Sequence, residues 1–419
     1  MGKAKKTTLK HILVIILTFF TLQVSGQKIR PDIKKLAQKI EKYNELESEH
    51  VGYAGVTTDQ YKNFEKLRDK ATIDELLQLL EYKNSVVKGY TSWALADKMY
   101  PKLAEILAEF LRTGETATTQ HGCIVSEGEL ASEFYNRVVY QHFHNKLTVK
   151  DSLFFQSQIQ QLDSVILYGN NGKYLLRNAL SNNNGNPKNY DRIRHLAFND
   201  KNTYAIEALA IYQRKGDIAD FKELKEKAFV AIANFPDNDF WDFLLLFKEK
   251  NQSKEYLMAI SAFKTEESAK TLSDIFSKMS DENIKDLSEV ITKNYCAYYQ
   301  DLILEIWEKH NIIDIRATTQ LIKDIPEAAA QSFSVGLLSN KDLNFVEYDY
   351  DYGSNDKILP LMLDNINNFQ NSQISSICEK NIKTAEFTTL GHFLTFVKDL
   401  NLTETSVEIL ERLQKKNQA

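Results

Sequence analysis

The sequence predicts an all-α fold, a stack of short paired helices, and three observations carry that expectation. Thr72 to Met99 reads as two amphipathic helices joined by a tight polar turn. Segments of the same kind fill most of the remaining chain. Only 15 Gly and 6 Pro interrupt 419 residues, 43% of them hydrophobic. Helices therefore meet few breakers, and there is enough apolar surface to bury a core.

The chain opens on a leader, residues 1–26. Lys3, Lys5, Lys6 and Lys10 form a basic start. Ile12 to Leu22 is apolar except for Thr18 and Thr21, and Val24-Ser25-Gly26 supplies small residues before Gln27. This is the pattern of a secretory signal peptide, with about eleven apolar residues against the roughly twenty needed to span a bilayer. The alternative is an uncleaved N-terminal membrane anchor. Cleavage would remove four lysines and no acid, taking the net charge from −5 to −9. Such an acidic chain lacks the basic footprint of a nucleic-acid partner, and no membrane span is expected after the leader. The location expected is exported, periplasmic or secreted. Three cysteines permit one disulfide and leave one over. Cys296 and Cys378 fall in helical patterns and read as small hydrophobes, whereas Cys123 falls in a loop.

Residues 27–70 read as a lead-in of two polar helices, one from Pro31 to about Glu47 and one from Asp59 to Lys70 capped by Thr57 or Thr58. The main array, residues 71–340, opens on Thr72 and Glu75, which have the spacing of a capping box. Ile73, Leu76, Leu77 and Leu80 follow on one helical face. After a turn at 82–84, Val86, Tyr90 and Trp93 line the second helix. Pro101 suits a first helical turn, and Leu103, Ile106, Leu107, Phe110 and Leu111 form the next stripe. A matching unit occupies 190–212, with Tyr190, Ile193, Leu196 and Ala197, a turn at Asn199–Asn202, then Tyr204, Ala205, Ala208, Leu209 and Tyr212.

These two units, 72–112 and 190–216, resemble HEAT (armadillo-type) repeats. The resemblance rests on Asn84-Ser-Val-Val-Lys88 with Trp93-Ala-Leu-Ala96, and on Asp200-Lys-Asn-Thr-Tyr204 with Ala208-Leu-Ala210. The turn proline common in that family is absent at both places, and Lys88 stands where Arg is usual. The resemblance implies a right-handed α-solenoid, an α-α superhelix of roughly twenty helices with a curved binding surface.

Further helices are expected over 217–234, 239–250, 252–263, 265–279, 280–294, 295–310, 314–323 and 326–338. C-terminal helical pairs at 357–419 continue the array. Two segments break the rhythm. Thr113–Gly128 is polar, with three glycines, and reads as a long loop. Residues 341–356 form an acidic, Tyr-rich irregular segment.

Several constellations are candidates for function. His121, Cys123, His142 and His144 offer four zinc-type ligands within 24 residues, although the spacing matches no standard zinc pattern and His-x-His on a helix turns the two rings about 200° apart. Asp349, Asp351, Asn355 and Asp356 are oxygen ligands without the EF-hand order. Tyr348, Tyr350 and Tyr352 would share one face of an extended segment, and Tyr is enriched at binding hot spots. Arg192, Arg194 and Arg214 concentrate positive charge in a chain with ten Arg, either as a capture surface for carboxylate or phosphate or as a solvated face paired with Asp191 and Asp217.

No Gly-x-Ser-x-Gly elbow, His-Glu-x-x-His, phosphate loop or dinucleotide fingerprint occurs. The expected function is a protein- or peptide-binding or envelope scaffold module without catalysis and without a cofactor. The alternatives are a glycan-active hydrolase or lyase on an α/α toroid, whose acids need no local motif, and a zinc-binding module.

Overall fold

The computed structural model describes residues 28–144, 146–169, 171–339 and 355–384, with Phe393, Val397, Val407 and Glu411 beyond them. The fold is all-α, as the composition and periodicity predict, with one small three-stranded sheet. The chain divides into two compact units, one ending at Arg192 and the other beginning at Ile193.

In the first unit the helices are α1 (Pro31–Tyr43), α2 (Asp59–Lys70), α3 (Ile73–Leu79), α4 (Ser85–Asp97), α5 (Leu103–Thr113), α6 (Leu130–His144), α7 (Val149–Tyr168) and α8 (Leu176–Asn182). The capping box at α3 forms as its spacing predicts. Thr72 accepts from the Glu75 N–H, and the Glu75 carboxylate accepts from the Thr72 N–H at 3.0 Å. That carboxylate also receives the Arg30 guanidinium at 2.9 Å on each oxygen, and these bonds, led by that of Arg30, hold its pKa down to about 2.

Two expectations are corrected here. The first lead-in helix stops at Tyr43 rather than near Glu47, because Asn44 adopts a left-handed conformation at φ 57°. The chain then becomes strand β1 (Leu46–Val51). Thr113–Gly128 is no loop but mostly a hairpin of β2 (Thr116–Gly122) and β3 (Ile124–Glu129). Gly122, at φ 57°, opens its two-residue turn, the position where glycine tolerates a conformation costly to other residues. β1 pairs parallel to β2, with Leu46 opposite Thr119, and β2 pairs antiparallel to β3.

The sheet is tied to the helices by one phenol. Tyr90 of α4 is fully buried; its hydroxyl donates to the Glu47 carbonyl at 3.0 Å and accepts from the Glu47 N–H at 2.8 Å. Beside it Tyr61, Phe64 and Trp93 pack at ring-centroid distances of 4.9–5.8 Å. Full burial of each such ring contributes roughly 1.5–3 kcal/mol. Gly89, on the same helix, leaves room for the Leu46 side chain, whose methyls would lie 3.1 Å from a Cβ there.

The second unit contains α9 (Tyr190–Phe198), α10 (Thr203–Ala210), α11 (Ile218–Glu223), α12 (Phe229–Asn234), α13 (Trp241–Leu245), α14 (Lys254–Ser261), α15 (Glu266–Phe276), α16 (Asp281–Lys293), α17 (Gln300–His310), α18 (Ile315–Asp324), α19 (Pro326–Ser339), α20 (Asn355–Phe369) and α21 (Asn371–Thr384). Alternate helices stack: α10 on α12, α12 on α14, α14 on α16, then α17 on α19 and α19 on α21. The helices expected over 217–234 and 239–250 are broken into short α and 3₁₀ pieces. Lys225 takes φ 55° and starts a 3₁₀ turn that re-aims the chain before Phe229. Cys296 is extended, at φ −157°, not helical, and precedes a 3₁₀ turn leading into α17. None of the three cysteines is in a disulfide; Cys123 is exposed and Cys378 buried.

Buried aromatic polar groups close the helix carbonyls. The Tyr256 hydroxyl donates to the Leu244 carbonyl at 3.0 Å, Tyr299 to Ser261 at 2.8 Å, and the Trp307 Nε1–H to Ser332 at 3.1 Å. A buried carbonyl left without a donor would cost about 1–3 kcal/mol. Among the described residues, no helix is long and apolar enough to cross a membrane.

Candidate functional site

A recess lined by charged and aromatic side chains lies in the first unit, where α2, α4, α6 and β1 converge. Its base is Asp97, the last residue of α4, whose side chain is 8% exposed. Arg137 of α6 grips it with two bonds, Nε to Oδ1 at 2.8 Å and Nη2 to Oδ2 at 2.5 Å. The Gln141 amide, one turn along α6, donates to Oδ1 at 2.5 Å, and Arg68 of α2 approaches Oδ2 at 3.6 Å. A fork-to-fork pair of this kind fixes the guanidinium plane as well as its charge. Burial works against that charge, but the Asp97 bonds outweigh it, and the Arg137 pKa is raised. The same guanidinium lies 5.3 Å from the Trp93 ring, 5.5 Å from Phe64 and 5.7 Å from Tyr140, within reach of cation–π attraction.

A second ion pair flanks the first. His121 on β2 meets Glu133, one turn before Arg137 on α6, with Nε2 2.9 Å from Oε2. The Glu133 hydrogen bond raises the His121 pKa, against the lowering effect of burial. Two adjoining hollows open over these pairs. One, of about 370 Å³, is lined by Tyr61, Glu65, Arg68 and Asp97; the other, of about 480 Å³, by Ser48, His50, Trp93 and His121. Glu49, Arg137 and Tyr140 belong to both. The recess thus combines one exposed ring, Tyr140, with a buried arginine and the carboxylates of Glu49 and Glu65, while Tyr61 and Trp93 lie buried beneath it.

The residues singled out from sequence fall elsewhere, with one exception. His121 lines this recess, but its ring is engaged by Glu133. Cys123 sits exposed at the hairpin turn, and His142 packs edge-on against Phe143 at 4.7 Å. Among the described residues, no three His, Cys, Asp or Glu side chains gather as a metal site, and the His144 side chain lies outside them. Arg194 pairs with the buried Asp217 at 3.0 Å and with Asp220. Arg192 donates to the Leu167 carbonyl at 2.6 Å, and Arg214 is exposed before a 3₁₀ turn. Tyr348, Tyr350 and Tyr352, with the acidic Asp349 and Asp351, lie outside the described residues.

Sequence reading missed Asp97, Glu133 and Arg137. A signal existed: Glu133, Arg137, Tyr140 and Gln141 recur at the spacing of a helical stripe, yet the stripe is polar. A polar stripe in a helix that also carries a full apolar face marks a second, non-core contact. Asp97 had no such signal, since its partner is 40 residues away. No family model, curated protein or solved structure matches this chain.

Proposed function

We propose that the protein is an exported, HEAT-like repeat protein that works by binding a protein or peptide, and that the recess around Arg137 is the contact surface. The observation that carries this reading is the composition of that recess: the exposed Tyr140 and two arginines on one concave surface, backed by the buried Tyr61 and Trp93. Tyr, Trp and Arg are the side chains that dominate binding hot spots. Their scaffold is rigid, because Arg137 is held by Asp97 and stacked against three rings. Asp97 and Glu133, the deepest acids, are each spent in an ion pair, which suits a fixed binding face better than proton transfer. The stacking of alternate helices in the second unit supports the repeat architecture.

The test places a photo-crosslinking residue in the recess, Tyr140→p-benzoylphenylalanine, in the chain expressed in its own cells. Irradiation is expected to yield one discrete protein adduct, absent when the crosslinker replaces the exposed Lys227. No adduct at 140, together with release of reducing sugar from envelope glycan by the purified protein, would establish the hydrolase alternative instead.

A further inference from the structure

An apolar tip stands at one end of the three-stranded sheet, and two turns build it. After β1 the chain turns through Gly52–Gly55 and returns at Val56, which bridges to Val51. Beside it, Gly122 and Cys123 turn β2 into β3. The Gly52 N–H donates to the Gly122 carbonyl at 2.8 Å and joins the two turns. Both turns project, since a Cβ at Gly52, Gly55 or Gly122 would meet nothing within 4 Å. Tyr53 is as exposed as in an open peptide, at 103%, and Ile124 is 70%, Val125 57% and Val56 54% exposed. None of these four side chains lines the hollows around Arg137.

Charge, backbone and side-chain type together decide what covers this tip. Residues 50–58 and 116–126 contain no Asp, Glu, Lys or Arg, in a chain that is 26% charged, so charge is withheld from the tip. The charged residues that flank the two segments in sequence, Glu49, Asp59, Glu115 and Glu127, are all acids. An anionic surface therefore finds no cation here. The backbone donors of the first turn are largely spent: Val51 and Val56 exchange N–H bonds at 3.1 and 3.0 Å, and Gly55 donates to the Gly52 carbonyl at 3.1 Å. A docking peptide strand would need such donors free, whereas a lipid phase requires them paired. Tyr, the most exposed side chain of the tip, is a residue enriched where membrane meets water. We propose that the tip seats in the interfacial layer of a lipid bilayer with zwitterionic headgroups and holds the protein on a membrane surface. Tyr53, Val56, Ile124 and Val125 enter the boundary between headgroups and acyl chains, and the flanking acids stay in water. This contact needs no membrane-crossing helix and does not depend on the peptide-binding role of the Arg137 recess.

The test is co-flotation of the chain beginning at Gln27, so that the apolar leader contributes nothing, with phosphatidylcholine vesicles and with vesicles that also contain phosphatidylglycerol. Flotation with the first is expected, unchanged in high salt and no stronger with the second. Tyr53→Ser and Ile124→Ser should each lower the partition coefficient by about tenfold, the value of one large apolar side chain withdrawn from water, with an unchanged circular dichroism spectrum. Leu246→Ser, at a residue 72% exposed in the second unit, is the control expected to be neutral. No flotation of the unsubstituted chain would overturn the proposal, as would flotation that requires phosphatidylglycerol or survives the Tyr53→Ser and Ile124→Ser double substitution. Photo-crosslinking from Tyr53→p-benzoylphenylalanine in the chain's own cells is expected to label lipid. A discrete protein adduct instead, a second copy of this chain included, would overturn the proposal and make the tip a protein-docking element.

Discussion

At the scale of single residues, the most consequential group outside the recess is Asp163 on α7. It is 5% exposed and accepts the Tyr135 hydroxyl at 2.6 Å, while the Asn182 amide donates to that same hydroxyl at 2.8 Å. Burial pushes its pKa from 3.8 up to about 7, with the Tyr135 and Asn182 bonds pulling the other way. The folded chain therefore keeps this proton over a range where the unfolded chain has released it. Stability contributed by the group is fully present below about pH 4 and is lost as pH rises toward 7. Asp163→Asn should remove that loss: relative to wild type, its stability is expected to rise with pH between 4 and 7 by up to about 1.4 kcal/mol per unit. Urea unfolding at four pH values in that window checks it, and a variant-to-wild-type difference independent of pH would contradict it. Nothing in the sequence around position 163 distinguishes this aspartate from a solvated one. Its burial is decided by Tyr135, 28 residues earlier.

At the scale of elements, local rules worked where an element's reasons are local. The α3 cap formed from Thr72 and Glu75 because both partners lie within one turn. β1 was not legible, because its pairing partner is about seventy residues downstream and its anchor is the Tyr90 hydroxyl. The tract 113–128 looked like a loop because Thr, Gly and Ser suit both loops and exposed strands, and β3 has no buried residue to give an alternating pattern. Packing between elements also sets what a position tolerates. Gly336 on α19 lies against Trp307, and a Cβ there would stand 2.5 Å from the indole Cε2. Gly336→Ala is expected to destabilise the second unit by about 1–3 kcal/mol through overpacking, despite alanine's better helix propensity. Gly216→Ala, with nothing within 4 Å of its Cβ, is the control expected to be near neutral. Thermal unfolding followed by tryptophan fluorescence compares them; equal melting temperatures would show that the indole has room to move.

At the scale of the whole molecule, export is the expectation with the clearest readout. The leader's four lysines, its apolar run and the Val24-Ser25-Gly26 exit predict cleavage before Gln27. Expression in the native host should place the chain outside the cytoplasm with Gln27 as its first residue, measured by fractionation and N-terminal mass spectrometry. A full-length chain in the membrane fraction would identify the leader as an anchor.

By itself, the sequence determined the all-helical class, most helix positions and the acidic balance of the chain, because helix periodicity and capping are written within one or two turns. Only the tertiary structure decided the place of β1 in the sheet and the Arg137–Asp97 and His121–Glu133 pairs. The β1–β2 pairing and the two ion pairs join residues between 12 and about 70 positions apart. Such contacts depend on how neighbouring helices stack, and stacking is a property of surfaces that no local pattern encodes.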